Sequence, residues 1–475
     1  QNMISSSHIF LALVCLYIHA TCITCQMSRV THLPGLSDAG YQPKMYSGYL
    51  KTKTHPCDVF SVLVLADESP DTKPFIVFQN GGPGASSLQG FIVETGPALL
   101  ESDGKTLLPN PERWNKFANV LFMELPGDVG FSHSKVQNWN DEMFAVTFFE
   151  ALQDLQNQLP QFLKPGTPIW LTGESYFGAY GVVTMAHILK NTNRLGLDFR
   201  GLFIGNGVSN RYFDDKTPPL FMREHAIISE HAYLEAFQTC GGDFSQQTED
   251  CQQAVHGLWL SVFFAGMNPY NIYDTCIPVQ TVQNATIQHL SSGKPLSLAL
   301  LENARHFPSA SSRISAQPDP LPCVSIKQME HYFNQESVQK ALNVRDVPHK
   351  WTIVDQDLSL LYNQTANPTA YILPILQSNV PIRYFSGDID LIVNVKGTLT
   401  SIETFARQHH LDSFTEWGAW KDRNGRLGGF NIGWSVNGSR SGEVRVVTVR
   451  GGSHMAASNR ARQVVDLLQR FMGTD

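Results

Sequence analysis

The chain carries little charge and no concentrated positive charge. Only 16% of its 475 residues are Asp, Glu, Lys or Arg, and they leave a net charge of −7. No run of Lys and Arg appears anywhere, so the electrostatic footprint that a nucleic-acid partner requires is missing. Long apolar runs are missing too. Residues 9–18 (IFLALVCLYI) are too short to span a bilayer and stand near the start, with Ala20 and Thr21 behind them. They read as a secretory signal peptide over about residues 1–25, although no Lys or Arg precedes them and Gln1 and Asn2 stand before the first methionine, Met3. No later run is long and apolar enough to cross a membrane, and no internal repeat is found.

Cysteine is scarce. Of eight, Cys15, Cys22 and Cys25 lie in or beside the leader, which leaves Cys57, Cys240, Cys251, Cys276 and Cys323. Five is odd, so at least one is unpaired unless Cys22 or Cys25 survives processing. Glycosylation sequons stand at Asn284, Asn363 and Asn437. Leader, cysteines and sequons agree on an oxidising, secretory route ending in a lysosome or vacuole or outside the cell.

What the chain has is apolar bulk, 42% of residues, enough for a large core. Short apolar runs at 59–66, 74–78, 119–124, 169–172, 199–204, 382–385 and 444–449 read as buried strands. Helical spacing follows several of them, at 141–159 (Phe144, Phe148, Leu152, Leu155) and 179–190 (Val182, Val183, Met185, Ala186). A last helix carries Val464, Leu467, Leu468 and Phe471, with Ser458 able to cap it. Strands alternating with helices predict a mostly parallel α/β sheet. The rhythm breaks over about 212–325, a stretch with irregular Pro- and Ser-rich sequence, which reads as an insertion packed over the sheet as a cap. The main domain would then comprise 26–211 and 326–475.

In open α/β sheets, ligands bind beyond the carboxyl ends of the strands. Four features stand there: a glycine loop at 80–87 (NGGPGASS), Ser175 in a sharp turn between strand and helix, the pair Asp388 and Asp390, and His454. Ser, Asp, His is the chain order of an α/β-hydrolase triad, with serine as nucleophile, histidine as base and aspartate as the group that orients it. Each piece has an ordinary alternative. Ser175 could be a capping serine, because Phe177 breaks the strict Gly-x-Ser-x-Gly elbow; Asp388 and Asp390 could be turn formers; and His454 is one of 16 histidines. The glycine loop lacks the Lys-Ser/Thr end of a P-loop and the spacing of a dinucleotide fingerprint, so it suits an oxyanion hole better than a phosphate. No cofactor and no metal are expected.

The blocks NGGPGASSL (80–88), ETGP (94–97), VGFS (129–132), GESY (173–176), GNG (205–207), SGDID (386–390) and GSHM (452–455) occur in this order. Together they resemble the serine carboxypeptidases, in particular the cathepsin A and vitellogenic-carboxypeptidase-like group, over nearly the whole chain after the leader. The resemblance implies an α/β-hydrolase fold and removal of a C-terminal residue from peptides through an acyl-enzyme, with a preference for acid pH. It implies Ser175 as nucleophile, Asp390 as orienting acid and His454 as base. The N–H groups of Gly82 and Tyr176 would form the oxyanion hole. Asn80, Gly81, Glu94 and Glu174 would hold the substrate carboxylate, and Met455 would contribute a weaker substrate contact. Two glutamates facing a carboxylate cannot all be ionised, so at least one should have a raised pKa.

The chain departs from the family at Phe177 (usually Ala or Gly) and at Phe78, where many relatives have tryptophan. A loop cysteine is also absent: Ala85 takes its place, and Val354, three residues after Trp351, takes that of its partner. The remaining implied bridges are Cys240–Cys251 and Cys276–Cys323, with Cys57 left over. The expected partners are peptide or small-protein C-termini, and a homodimer stays open. Two rival functions share the motifs: a carboxypeptidase-like acyltransferase, and a non-catalytic binding or protective partner.

Overall fold

The computed structural model describes residues 26–36, 40–191, 195–265, 267–273, 326–345 and 349–474. Its centre is six parallel strands. In chain order these are β1 (Phe75–Gln79), β2 (Asn119–Met123), β3 (Pro168–Glu174), β4 (Asp198–Gly205), β5 (Ile382–Gly387) and β6 (Glu443–Val449). They lie side by side in the order β2-β1-β3-β4-β5-β6. Each expected strand is present, shifted by a residue or two at its ends.

Both faces of these strands are buried, which is why they read as continuous apolar runs. Alternate residues serve two cores. Val77, Leu121, Ile169, Leu171, Leu202 and Ile204 enter one. Ile76, Phe78, Val120, Trp170 and Phe203 enter the other. The first core is closed by helices α1 (Asp141–Gln158), α2 (Phe177–Asn191) and α3 (Val395–Gln408). The second is closed in part by α4 (Ala461–Met472).

The sheet continues on both sides as antiparallel strands, of which the apolar runs revealed only the one at 59–66; with the short His133–Ser134 strand paired to Cys57–Val64 they give twelve in all. Ser28–Val30, Met45–Lys51 and Cys57–Val64 extend it beyond β2, and Leu427–Ser435 and Asp412–Lys421 beyond β6. Asp412–Lys421 is the outermost strand on its side, and most of its residues are exposed or half-buried, so no apolar run marks it. The run at 59–66 is a strand, but it joins β2 antiparallel.

Three further expectations need correction. Ser458 does not cap the last helix: α4 starts at Ala461, and the Ser458 hydroxyl donates to the Val93 carbonyl 3.0 Å away. Helix α2 begins at Phe177, two residues earlier than its apolar spacing suggested. The stretch after 211 is largely helical as far as Phe264, in Arg211–Lys216, Pro218–Glu224, Glu230–Thr239 and Glu249–Phe264. The last three of these helices pack with Phe244 into an apolar cluster that includes Phe221, Tyr233, Leu258 and Val262, with the Cys240–Cys251 disulfide within it. Cys276, Cys323 and Asn284 lie outside the described residues. Cys57 is a buried free thiol.

The strand order positions the site. From β1 the chain passes to β2 on one side, then returns to β3 on the other. A crevice opens at such a reversal, between the loops that leave β1 and β3. Those loops carry the glycine stretch and Ser175.

Candidate active site

Ser175 stands between β3 and α2 with φ of 63°, a left-handed conformation that costs a non-glycine residue about 1–3 kcal/mol. The surroundings hold it there. Its N–H donates to the Gly205 carbonyl at 2.9 Å, and its own carbonyl accepts from Gly178 and Val208, both at 3.0 Å. The turn is tight because Gly173 has no side chain; a Cβ there would collide with the Gln79 carbonyl and stand 2.5 Å from Cγ of Phe177. Phe177 fits: its ring is 1% exposed, lodged between Gly173 and Gly181.

The glycine loop after β1 presses onto this elbow. A Cβ on Gly81 would collide with the Tyr176 nitrogen and lie 2.9 Å from the Ser175 Cβ. Gly82 has φ of 109°, which an L side chain disfavours. The N–H groups of Gly81, Gly82 and Tyr176 find no acceptor among the described residues. Gly81 and Tyr176 are buried, whereas Gly82 is open to solvent. Buried backbone donors are rarely left unpaired, so these two, with the Gly82 N–H beside them, mark a place for an oxygen-rich ligand.

Asp390, after β5, is fully buried and takes four donors: His454 Nδ1 at 2.8 Å, Asn206 Nδ2 at 2.9 Å, and the N–H groups of Ile392 at 2.9 Å and Val393 at 3.2 Å. Asp388 does different work. It accepts from the Gly451 N–H at 2.6 Å and so ties down the loop leading to His454. The His454 N–H is held by the Tyr270 carbonyl at 2.8 Å, and its ring meets the Tyr270 ring edge-on. With Nδ1 bound to a carboxylate, Nε2 is the nitrogen left for proton transfer. No hydrogen bond joins Ser175 Oγ to His454 here; such contacts often tighten only around substrate.

The carboxylate set is assembled too. Asn80 donates through Nδ2 to Glu174 at 2.9 Å and to Glu94 at 3.4 Å. Its Oδ1 accepts from the Gly90 N–H at 3.0 Å, which fixes the orientation of the amide. Burial raises the pKa of Glu174 well above the usual carboxylate range, and the neighbouring Glu94 charge adds to the rise. Burial raises that of Glu94 as well, against the contacts from Glu174 and Asn80. Oε2 of Glu94 is buried without a partner. Phe78 packs beneath Gly90 and against Trp114 and Phe122. Half-buried Met455 takes a contact from Gln89 Nε2 to its sulfur at 2.6 Å.

The sequence model of the serine carboxypeptidase family matches residues 34–474. The chain belongs to that family. Among similar proteins are the lysosomal protective protein of Mus musculus, 27% identical over 93% of each chain, and serine carboxypeptidase ctsa-4.1 of Caenorhabditis elegans, 27% identical over 94% of this chain and 93% of that one. Serine carboxypeptidase-like 25 of Arabidopsis thaliana is 28% identical over 94% of this chain and 91% of that one. A prohormone-processing carboxypeptidase of Saccharomyces cerevisiae shares the α/β-hydrolase fold, with a TM-score of 0.70 at 20% identity over 94% of this chain and 95% of that one.

Two residues of this serine carboxypeptidase site have no role that the sequence alone discloses. Asn206 is visible there only as part of a glycine-flanked motif. Its Oδ1 accepts from the Gly387 N–H at 3.0 Å while its Nδ2 binds Asp390. Tyr270 lies in the stretch after 211, where no pattern points to it. The expected bridge partners of other relatives, Ala85 and Val354, are paired here through an antiparallel β-bridge.

Proposed function

We propose that the protein is a serine carboxypeptidase that hydrolyses the last peptide bond of its substrates, with Ser175, Asp390 and His454 as the triad. The observation that carries this reading is the contact of Asn80 with both Glu174 and Glu94, directly beside Ser175. Two protonated glutamates and an amide suit a terminal carboxylate, which an internal peptide bond does not offer.

In this reading Ser175 Oγ attacks the carbonyl carbon of the last peptide bond and gives its proton to Nε2 of His454. Asp390 stabilises the resulting imidazolium. The Gly82 and Tyr176 N–H groups receive the oxyanion. His454 passes the proton to the leaving amine, and the free amino acid departs. Water, deprotonated by His454, then releases the shortened peptide from the acyl-enzyme.

The raised pKa values of Glu94 and Glu174 support an acid preference. The exposed sequons at Asn363 and Asn437 and the Cys240–Cys251 disulfide support a secretory or lysosomal setting. We read 212–325 as a cap over the strand ends, inserted into a main domain of 26–211 and 326–475.

The deciding experiment compares wild type with Ser175→Ala on an N-blocked dipeptide and on its C-terminal amide at about pH 5. Release from the free acid alone, lost in the variant, supports the reading. Activity retained in the variant overturns it. Acyl transfer to an added alcohol or amine that exceeds hydrolysis would favour the acyltransferase instead.

A further inference from the structure

Beneath the elbow lies a second buried polar cluster that the triad does not use. Asp141, in the first turn of α1, is 1% exposed. No Lys, Arg or His contacts its carboxylate among the described residues. It is bound instead by three neutral donors: the Tyr176 hydroxyl at 2.9 Å, the Tyr362 hydroxyl at 3.0 Å and the Thr365 N–H at 2.8 Å. The Thr365 N–H also reaches the Tyr176 oxygen at 3.2 Å. Burial and the nearby Asp141 carboxylate both push the Tyr176 hydroxyl far above its ordinary pKa, so it stays a donor.

Tyr176 is the residue whose main-chain N–H, unpaired among the described residues, adjoins Ser175. Its ring is clasped edge-on by Tyr180 and Tyr362. Side chain and main chain of one residue thus point to two different sites, and a tether on one fixes the other. Donors aimed at a developing charge act by being in place before the reaction. A misplacement of about an ångström at a distance from the chemistry can cost a hundredfold in rate.

We propose that Asp141 is a positioning residue of the reaction: by anchoring the Tyr176 hydroxyl, it holds the Tyr176 N–H aimed at the oxyanion. This rests on the reading of Ser175 as nucleophile. The anchor touches neither substrate nor the Asn80–Glu94–Glu174 set, so it acts on turnover and leaves substrate binding alone.

The test uses the full-length enzyme and the N-blocked dipeptide. Tyr176→Phe removes only the tethering oxygen. It should lower kcat about tenfold with KM changed less than about twofold, since complete loss of an oxyanion donor costs about a hundred- to a thousandfold. Asp141→Asn should show the same split, and the double variant should be no slower than the slower single one. Tyr362→Phe is the control for a merely structural role. It removes an equivalent hydrogen bond from the same carboxylate while keeping the ring that packs on Tyr176, so it should lower Tm while kcat stays within about twofold. The inference is overturned if Tyr176→Phe leaves kcat unchanged, if the two single effects multiply, or if Tyr362→Phe slows turnover as much as Tyr176→Phe. Activity retained in Ser175→Ala would instead overturn the underlying assignment of the nucleophile.

Discussion

The ring of Phe177 fills the space that Gly181, one helical turn later, leaves empty. A Cβ on Gly181 would stand 2.9 Å from two carbons of that ring and 3.2 Å from Leu202. A bulky residue at the crowded second position after Ser175 is therefore accommodated by a glycine on the same helix face, and the elbow keeps its shape.

Gly181→Ala sets two effects against each other. Alanine favours a helix by about 1 kcal/mol, but overpacking a closed core costs about 1–3 kcal/mol. The collision should win, and the variant should unfold at lower urea. Phe177→Ala should cost about 3–5 kcal/mol through the cavity it leaves. Adding Gly181→Ala to Phe177→Ala should then raise stability by about 1 kcal/mol instead of lowering it, because the ring that blocked the methyl is gone. If Gly181→Ala lowers stability equally with and without Phe177, the two residues are not coupled and this account of the elbow is wrong.

The Glu94–Glu174 pair fixes the sign of a pH effect. Both groups have raised pKa values, so the pair is protonated in acid and loses protons as pH rises towards neutral. Ionised, it repels the substrate carboxylate. KM for an N-blocked dipeptide should therefore rise between about pH 4.5 and 7.5, by up to about tenfold per pH step of one once the pair begins to ionise. Glu94→Gln relieves the mutual repulsion and should flatten the profile. A wild-type KM that does not change across this range would defeat the clamp reading.

Glu124 makes a comparable statement about stability. It is fully buried behind the glycine loop and accepts from Trp351 Nε1 at 2.8 Å, the Phe131 N–H at 2.6 Å and the Ser86 hydroxyl. Burial outweighs these donors and pushes its pKa up to about 7. A carboxyl raised on folding binds more protons in the native state, so its stabilisation is full below the unfolded pKa and declines as pH climbs through the folded value. The decline should fall between about pH 4.3 and 7 and amount to roughly 3–4 kcal/mol. Glu124→Gln mimics the protonated form and should lose less stability over this range than wild type in thermal melts. Equal slopes would assign the pH dependence elsewhere.

Which parts of this molecule were legible in the sequence follows from burial. The six central strands have both faces covered, so Val77, Leu121, Leu171 and Phe203 sit in unbroken apolar runs that can be read directly. The edge strand Asp412–Lys421 is largely open to solvent and leaves no such run. Ser175, Asp390 and His454 stand out in the sequence because each follows a readable strand. Asn206 follows one too, but an amide that positions a carboxylate looks like any turn asparagine until its partners are seen. Asp141 was placed at the start of a helix, where acidic residues are common for electrostatic reasons alone. Only the fold brings Tyr176, Tyr362 and Thr365 onto it.

The Ala85–Val354 pair offers a test of how a missing crosslink is replaced. The Asp355 N–H donates to Gly84 at 3.0 Å and the Ser86 N–H to Ile353 at 2.8 Å, so the pair lies between two backbone hydrogen bonds and forms no direct one. Directly opposed residues of this kind have Cα atoms about 4.5 Å apart, within the range a disulfide spans. Both side chains are buried in the same apolar core. Ala85→Cys with Val354→Cys should therefore form the bridge on air oxidation without moving the glycine loop. The closed loop is long, and such a bridge contributes about 2–4 kcal/mol. The oxidised double variant should melt higher than its reduced form, with kcat on the N-blocked dipeptide unchanged. If the two thiols stay free under oxidation, the glycine loop and the segment 353–355 are not in the register described, and the oxyanion-hole geometry built on that loop falls with it.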